Sequence, residues 1–285
     1  MRKFILSLAS FAARLLPNSW KQSIYRVGPL ARLIRSGLNR AAPTGLTVVR
    51  VAAGGLAGCP LLLDLQTEKD YWLGTYEPDL QAALGDLVPA GAVAYDVGAN
   101  IGYVTLLLAR TVGKSGQVFA FEALPENVER LRRNLDLNGL SGRVTVVPAA
   151  VTQTAGPVRF LVHASGGMGK TAGSAGRQEE AYLAEIRVEG LSLDEFVYAG
   201  GHPPPQVVKM DIEGGEGMAL AGMTRILKDA RPIFLIELHG EQAAAQVWEQ
   251  LTANRYSLHR MRKGYARVAA LAELDWKAYV VALPD

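Results

Sequence analysis

A chain of 285 residues, 49% hydrophobic and 20% charged, is long enough to bury a full core and has the composition of an ordinary globular protein. Its single cysteine, Cys59, excludes a disulfide framework and a cysteine-based zinc site, and fits a reducing, intracellular setting. The net charge of +3 is unevenly spread: residues 1–63 contain nine Lys or Arg and no acid, whereas 64–285 contain 21 basic and 27 acidic residues.

Residues 1–60 form a basic N-terminal extension that we predict to be helical. Residues 1–16 combine Arg2 and Lys3 with an apolar run, as a signal peptide does, but Arg14 interrupts the run early. No stretch of the sequence reaches the roughly 18 apolar residues expected of a membrane-spanning helix. Two interpretations stay open: a capping helix, and an amphipathic helix through which residues 1–40 of a cytoplasmic protein touch the inner face of the membrane.

A second domain, predicted at 61–285, shows short apolar runs that alternate with helical periodicity. Strands are predicted at 60–65, 93–97, 117–121, 144–147, 206–210, 232–238, 256–260 and 277–283. Helices are predicted at 103–111, 125–138, 217–227 and 242–254. Strands separated by helices indicate an α/β fold with a parallel sheet built from right-handed crossovers.

A Gly/Ser-rich stretch at 164–176 interrupts this alternation, between strands predicted at 158–162 and 186–188. Residues 164–171 satisfy a relaxed phosphate-loop pattern, which would indicate an ATP-dependent enzyme. Against that alternative, Ala164 replaces the first glycine of the pattern, and a poor helix start follows Thr171. We therefore predict a mobile lid over an acceptor pocket, with Met168 and Lys170 as candidate substrate contacts.

The predicted strand at 93–97 leads into a glycine loop, Gly98-Ala99-Asn100-Ile101-Gly102, which a helix follows at once. Such a strand, turn and helix are typical of nucleotide binding, because glycine permits a tight turn and close packing. The dinucleotide fingerprint fails here, since Asn100 replaces its middle glycine and Asp96 would repel a pyrophosphate. S-adenosylmethionine carries an ammonium and a sulfonium beside one carboxylate, so it tolerates an acid near the loop.

Glu122 ends the next predicted strand, 26 positions after Asp96. In nucleotide-binding folds an acid at an offset of roughly 20 residues grips the ribose hydroxyls. The sequence therefore predicts a bidentate contact between the Glu122 carboxylate and a ribose.

With these residues in place, the sequence resembles the FkbM family of S-adenosylmethionine-dependent methyltransferases. Four segments carry the match: WLGTYE (72–77), YDVGANIG (95–102), FAFEALPEN (119–127) and VKMDIEGGE (208–216). The segment Leu191-Ser192-Leu193-Asp194 agrees as well. The family tends to place a proline one position closer to the second acid than Pro125 lies here, and this departure leaves Glu122 aligned.

The resemblance implies a Rossmann-like class I methyltransferase fold, a mostly parallel seven-stranded sheet with helices on both faces, and S-adenosylmethionine as cofactor. It implies cofactor contacts from the loop and nearby strand ends: Glu77, Asp96, Gly98, Ala99, Asn100, Ile101, Gly102, Glu122, Ala123 and Asp211. The expected acceptor is a hydroxyl of a saccharide, glycan or natural product, and no nucleic-acid partner is expected. An amine or carboxylate acceptor stays open, as does a membrane-associated scaffold without catalysis.

Acids and a histidine follow two neighbouring predicted strands, whose carboxyl ends face the ligand crevice in a doubly wound sheet. Asp211, Glu213 and His239 are the predicted catalytic residues, with His239 as general base because an ordinary pKa of about 6.5 allows the neutral form. Together with Glu216 and Glu237 they could hold a divalent ion. Hydrogen bonding and helix capping account for the same side chains, so no metal ligand is predicted.

Overall fold

The computed structural model describes residues 11–13, 28–163, 167–175, 182–275 and 277–285. By its internal contacts the chain divides into two compact units, one of residues 1–81 and 136–139 and the other of residues 82–135 and 140–285. The domain boundary expected near residue 61 stays a prediction. No helix among the described residues is long and apolar enough to cross a membrane.

Among its residues that the structure describes, the first unit contains helical segments and a two-stranded antiparallel sheet. The helices are α1 (Gly28–Ala41), α2 (Lys69–Leu73) and the start of α3 (Pro78–Leu87), and the strands are β1 (Leu46–Arg50) and β2 (Pro60–Asp64). Helix α1 lies in the extension expected to be helical, whereas the predictions for residues 1–10 and 14–27, including most of the proposed membrane contact, lie outside the described residues. Strand β1 was not predicted. Its residues do not alternate between buried and exposed positions, since Leu46 and Val48 are about half exposed.

The second unit carries a seven-stranded sheet with the order β12-β13-β11-β10-β3-β4-β5. Its strands are β3 (Val93–Val97), β4 (Gln117–Phe121), β5 (Val144–Val147), β10 (Val207–Met210), β11 (Ile233–His239), β12 (Tyr256–Arg260) and β13 (Lys277–Pro284). Strand β13 pairs antiparallel with both β11 and β12, and the other four pairs of neighbouring strands are parallel, which confirms a mostly parallel sheet. All four residues of β10 are buried, so both faces of the sheet are covered there.

Helices follow β3, β4, β10 and β11 in the chain. They are α4 (Tyr103–Thr111), α5 (Pro125–Leu137), α6 (Glu216–Ala221), α7 (Thr224–Asp229) and α8 (Glu241–Ala253). The single helix expected at 217–227 is two helices, because the chain turns at Gly222, where a Cβ would lie 2.3 Å from the Thr152 carbonyl oxygen. The Asp194 carboxylate then caps α7 by accepting hydrogen bonds from the backbone N–H groups of Arg225 and Ile226.

A second sheet of four strands is inserted between β5 and β10. Its strands are β6 (Ala150–Val151), β7 (Gly156–His163), β8 (Gly169–Thr171) and β9 (Tyr182–Leu191), in the order β6-β9-β7-β8. The loop predicted at 164–176 is therefore wrong at 169–171, which pair with β7. Residues 164–166 and 176 of that stretch lie outside the described residues. Lys170 is a buried residue of β8, so residues 167–175 do not have the loop-to-helix geometry of a phosphate loop.

Candidate active site

The glycine loop 98–102 connects the carboxyl end of β3 to the start of α4. A Cβ on Gly98 would lie 1.9 Å from the carbonyl oxygen of Asp211, so only glycine allows β10 to end this close to the loop. Asn100 has a φ of 49°, a left-handed conformation that asparagine tolerates better than most residues. A Cβ on Gly102 would meet the Leu131 side chain at 2.4 Å, so this glycine serves packing against α5 rather than against the strand.

The carboxylate of Glu122 lies directly against this loop, at the end of β4. Its two oxygens accept hydrogen bonds from the backbone N–H groups of Asn100 at 2.7 Å and Leu124 at 2.9 Å. Burial raises the pKa of Glu122, and the hydrogen bonds from these two N–H groups oppose that rise. A hydrogen bond therefore joins the loop to the acid, although Asn100 and Glu122 lie 22 residues apart in the sequence.

Asp96 is fully buried beneath the loop and forms an ion pair with a lysine of the neighbouring strand. Its Oδ1 lies 3.1 Å from Lys209 Nζ, and its Oδ2 accepts a hydrogen bond from Thr105 at 2.6 Å. Lys209 also donates to the carbonyl oxygen of Gly98 at 2.8 Å. This internal role does not test the predicted cofactor contact of Asp96, which stays a prediction.

The other expected cofactor residues differ in how far they are exposed. Gly98 and Asn100 are partly exposed, whereas Ala99 and Ile101 are buried, and the Ile101 carbonyl oxygen accepts a hydrogen bond from Asn134 at 2.8 Å. The side chains of Ala99 and Ile101 therefore shape the loop. Glu77 belongs to the first unit, so its expected role stays a prediction.

Ala123 and Pro148, which follow β4 and β5, line an open pocket of about 370 Å³ together with residues of α5 and β9, and neither Glu122 nor the glycine loop lines it. One feature at the loop itself suits an anionic group. Helix α4 begins without a side-chain cap, so the N–H groups of its first turn can receive a carboxylate. A buried acid, a glycine cradle and an uncapped helix start are the donor and acceptor set that S-adenosylmethionine requires, and its predicted site residues fit.

A second cluster, which we call the acid–histidine cluster, lies at the adjacent strand ends of β10 and β11. It consists of Asp211, Glu213, Glu216, Glu237 and His239. His239 Nδ1 lies 3.0 Å from Glu216 Oε1, and His239 Nε2 lies 3.2 Å from Glu237, 3.6 Å from Glu213 and 3.7 Å from Asp211. The sequence places these residues on two strand ends, and the structure brings all five side chains together.

The carboxylates change the protonation of this cluster. Burial alone would lower the pKa of His239, but its hydrogen bonds to Glu216 and Glu237 and the charge of Asp211 raise it to about 11. Burial and the neighbouring acids raise the pKa of Asp211 to about 7, against the charges of Lys209 and His239. The role of His239 as base stays a prediction, but its premise of an ordinary pKa does not hold in this environment.

Sequence reasoning missed one residue that organises the site. Asn127 is buried and donates to the Gly167 carbonyl oxygen at 3.1 Å, while its amide also lies 3.5 Å from Glu122 Oε1. Glu216 was expected near the acid–histidine cluster, where helix capping also accounted for it, and the structure places it fully buried against His239. The segment after β8 also contacts this side, since Ala175 donates its N–H to the Gly214 carbonyl oxygen at 3.0 Å.

The strand order, the glycine loop and the acid at the end of β4 define a class I methyltransferase fold. A family model described as the methyltransferase FkbM domain matches residues 96–263, which is more than half of the chain. The chain belongs to the FkbM methyltransferase family. Membership confirms the family expected from the sequence and its cofactor, S-adenosylmethionine.

Several known proteins resemble the chain in part. It is 29% identical over 147 residues to the hexuronic acid methyltransferase AglP of Haloferax volcanii, a match that covers 52% of this chain and 56% of that protein. It is 46% identical over 57 residues to a protein-L-isoaspartate O-methyltransferase of Aeropyrum pernix, covering 20% and 22% of the two chains. The chain thus spans about half the length, or less, of these relatives.

A solved structure of methyltransferase FkbM from Methylobacillus flagellatus KT gives a TM-score of 0.46 at 18% identity. That likeness covers 77% of this chain and 54% of the other.

Proposed function

We propose that this protein transfers a methyl group from S-adenosylmethionine to a hydroxyl of a saccharide. The observation that carries the proposal is the contact between the Glu122 carboxylate and the glycine loop. A buried acid beside such a loop supports a contact to ribose hydroxyls, and the uncapped start of α4 supports binding of a carboxylate. The likeness to a hexuronic acid methyltransferase supports a sugar as the acceptor class.

The acid–histidine cluster supplies the proton acceptor in this proposal. S-adenosylmethionine, when bound, supplies a methyl group that its sulfonium has already activated. The acceptor oxygen bonds to the methyl carbon as the carbon–sulfur bond breaks, and the hydroxyl proton passes to a carboxylate. We assign that role to Glu213, because 33% of its side chain is exposed whereas those of Glu216, Glu237 and His239 are buried.

Strain supports the same assignment. Glu213 has a φ of 54°, a left-handed conformation that is costly for a residue with a Cβ. Such strain persists where surrounding contacts enforce it, and it clusters at functional sites. Here it directs the Glu213 carboxylate to within 3.6 Å of His239 Nε2.

The test combines binding with product analysis. Calorimetry with S-adenosylhomocysteine should give saturable binding to the full chain, and labelled S-adenosylmethionine should then transfer its methyl group to free uronic acids or their glycosides. A methyl ether resists mild alkali, whereas a methyl ester is hydrolysed, so alkaline treatment separates the hydroxyl acceptor from the carboxyl alternative. A folded sample that binds no S-adenosylhomocysteine would refute the proposal.

A further inference from the structure

We propose that Asp211, Glu237 and His239 form a binding site for a divalent cation at the carboxyl ends of β10 and β11. One oxygen of each carboxylate and one ring nitrogen lie within 4.8 Å of one another. Two atoms that bind one small ion at about 2.1 Å lie at most about 4.2 Å apart. Small side-chain movements therefore bring all three groups onto one ion.

Glu216 prepares the histidine for this role. Its Oε1 lies 3.0 Å from His239 Nδ1 and also accepts the Gly214 N–H at 3.1 Å, so the carboxylate is held from two sides. The Glu216 carboxylate keeps the proton on Nδ1, and an ion that binds Nε2 displaces the proton that this nitrogen carries in the ion-free cluster. That nitrogen, Nε2, is the one that faces Asp211 and Glu237. This is the arrangement of a metal-ligating histidine with its orienting carboxylate.

The charge at the cluster gives an independent reason. Glu216 is fully buried, yet its Oε2 has no hydrogen-bond partner among the described residues. A buried carboxylate oxygen without a partner is costly unless positive charge lies near. Four carboxylates meet here, with His239 and Lys277 in ion pairs with them and with the charge of Lys209 acting on Asp211. A divalent ion brings this assembly closer to neutrality.

The mixed set of carboxylates and one imidazole suits a first-row ion such as Mn²⁺. The presence of a metal site does not depend on the proposed function. The role of the ion toward a methyl acceptor rests on that function. An ion held by Asp211, Glu237 and His239 binds an acceptor hydroxyl and lowers its pKa, and it leaves Glu213 as proton acceptor. This proposal replaces the expectation from the sequence that the cluster holds no metal.

The test is a titration of Mn²⁺ into the full chain after treatment with chelator, followed by calorimetry and by the electron paramagnetic resonance signal of free Mn²⁺. We expect saturable binding with one ion per chain. Asp211→Asn and His239→Ala should abolish it, and Glu216→Gln should weaken it by about 10- to 100-fold. The matched control is Glu126→Gln, which removes an exposed acid outside the cluster and should leave Mn²⁺ binding unchanged.

Binding of S-adenosylhomocysteine by His239→Ala reports whether that variant has folded. Absence of saturable Mn²⁺ binding to the wild-type chain would overturn the proposal. So would equal Mn²⁺ affinities of the wild type and a folded His239→Ala. Mn²⁺ binding that depends on His239 in a chain that fails to bind S-adenosylhomocysteine would support the metal site and refute the proposed function.

Discussion

Lys209 Nζ lies 3.1 Å from Oδ1 of Asp96, and the two residues are register partners on the neighbouring parallel strands β10 and β3. Both side chains are almost fully buried. The same amino group donates a hydrogen bond to the Gly98 carbonyl oxygen. Lys209 therefore links the glycine loop to the central strands of the sheet.

Replacement of Lys209 by Met should lower the free energy of unfolding by about 3–5 kcal/mol, because it leaves a buried carboxylate without its counter-charge. Urea denaturation followed by circular dichroism measures this change. The control is Arg159→Ala, which breaks the exposed ion pair with Glu185 and should cost less than about 1 kcal/mol. A loss below 1 kcal/mol in Lys209→Met would contradict the prediction.

Gly98→Ala should abolish S-adenosylhomocysteine binding and destabilise the fold, since its Cβ would meet the Asp211 carbonyl oxygen at 1.9 Å. Gly113 is a matched control: its φ of 69° is also left-handed, but nothing lies within 4 Å of a Cβ there. Gly113→Ala should cost only the conformational strain of about 1–2 kcal/mol. Calorimetry and thermal unfolding of both variants test the difference, and equal behaviour would argue against a close approach at Gly98.

Glu122→Gln should weaken S-adenosylhomocysteine binding by about 10- to 100-fold, because hydrogen bonds to a charged group contribute about 1.5–3 kcal/mol. Glu126→Gln removes an exposed acid four residues away and should leave the affinity unchanged. Isothermal titration calorimetry compares the two variants. Wild-type affinity in folded Glu122→Gln would remove Glu122 from the cofactor site.

The same substitution should change how stability depends on pH. Burial raises the pKa of Glu122 in the folded state, so the protonated form contributes stability that is present below the unfolded pKa and is lost as the pH rises through the folded pKa. The free energy of unfolding of Glu122→Gln, relative to wild type, should therefore increase from about pH 4 upward. Urea denaturation at a series of pH values measures this trend, and a decrease in the difference would show the opposite shift.

Glu213→Gln should lower kcat by about 10²- to 10⁴-fold, the range that general-base assistance provides. Binding of S-adenosylhomocysteine should stay at the wild-type level, since Glu213 does not contact the glycine loop in our proposal. Glu241→Gln changes an exposed acid in the first turn of α8 and serves as control. An unchanged kcat in Glu213→Gln would assign the proton transfer to another group.

The parts of the fold that could be predicted are those that follow from local sequence pattern. Strands at 93–97, 117–121, 144–147 and 256–260 agree with the structure at both ends, because short strand-like runs that alternate with helical periodicity can be recognised locally. Strand β8 and the break between α6 and α7 depend on distant partners instead. The break requires the Thr152 carbonyl oxygen and the Asp194 cap, which no local pattern encodes.

The site shows the same division. Glu122 lies at the end of β4, as the sequence predicted from the fixed order of strand, loop and acid, and its ribose contact stays a prediction. The role of Asn127 was not predictable, since its partner Gly167 lies 40 residues away, between β7 and β8. The position of Glu216 at a helix start is also typical of a cap, and only the approach of β11 to β10 brings it to His239.

The inserted segment touches both halves of the crevice, through Gly167 beside Asn127 and through Ala175 beside Gly214. It contributes no strand to the seven-stranded sheet, so a change in its length does not alter the hydrogen bonding between the strands of that sheet. Exchange of residues 156–191 between family members, followed by a comparison of the sugars that each chimera methylates, therefore tests whether this segment selects the acceptor.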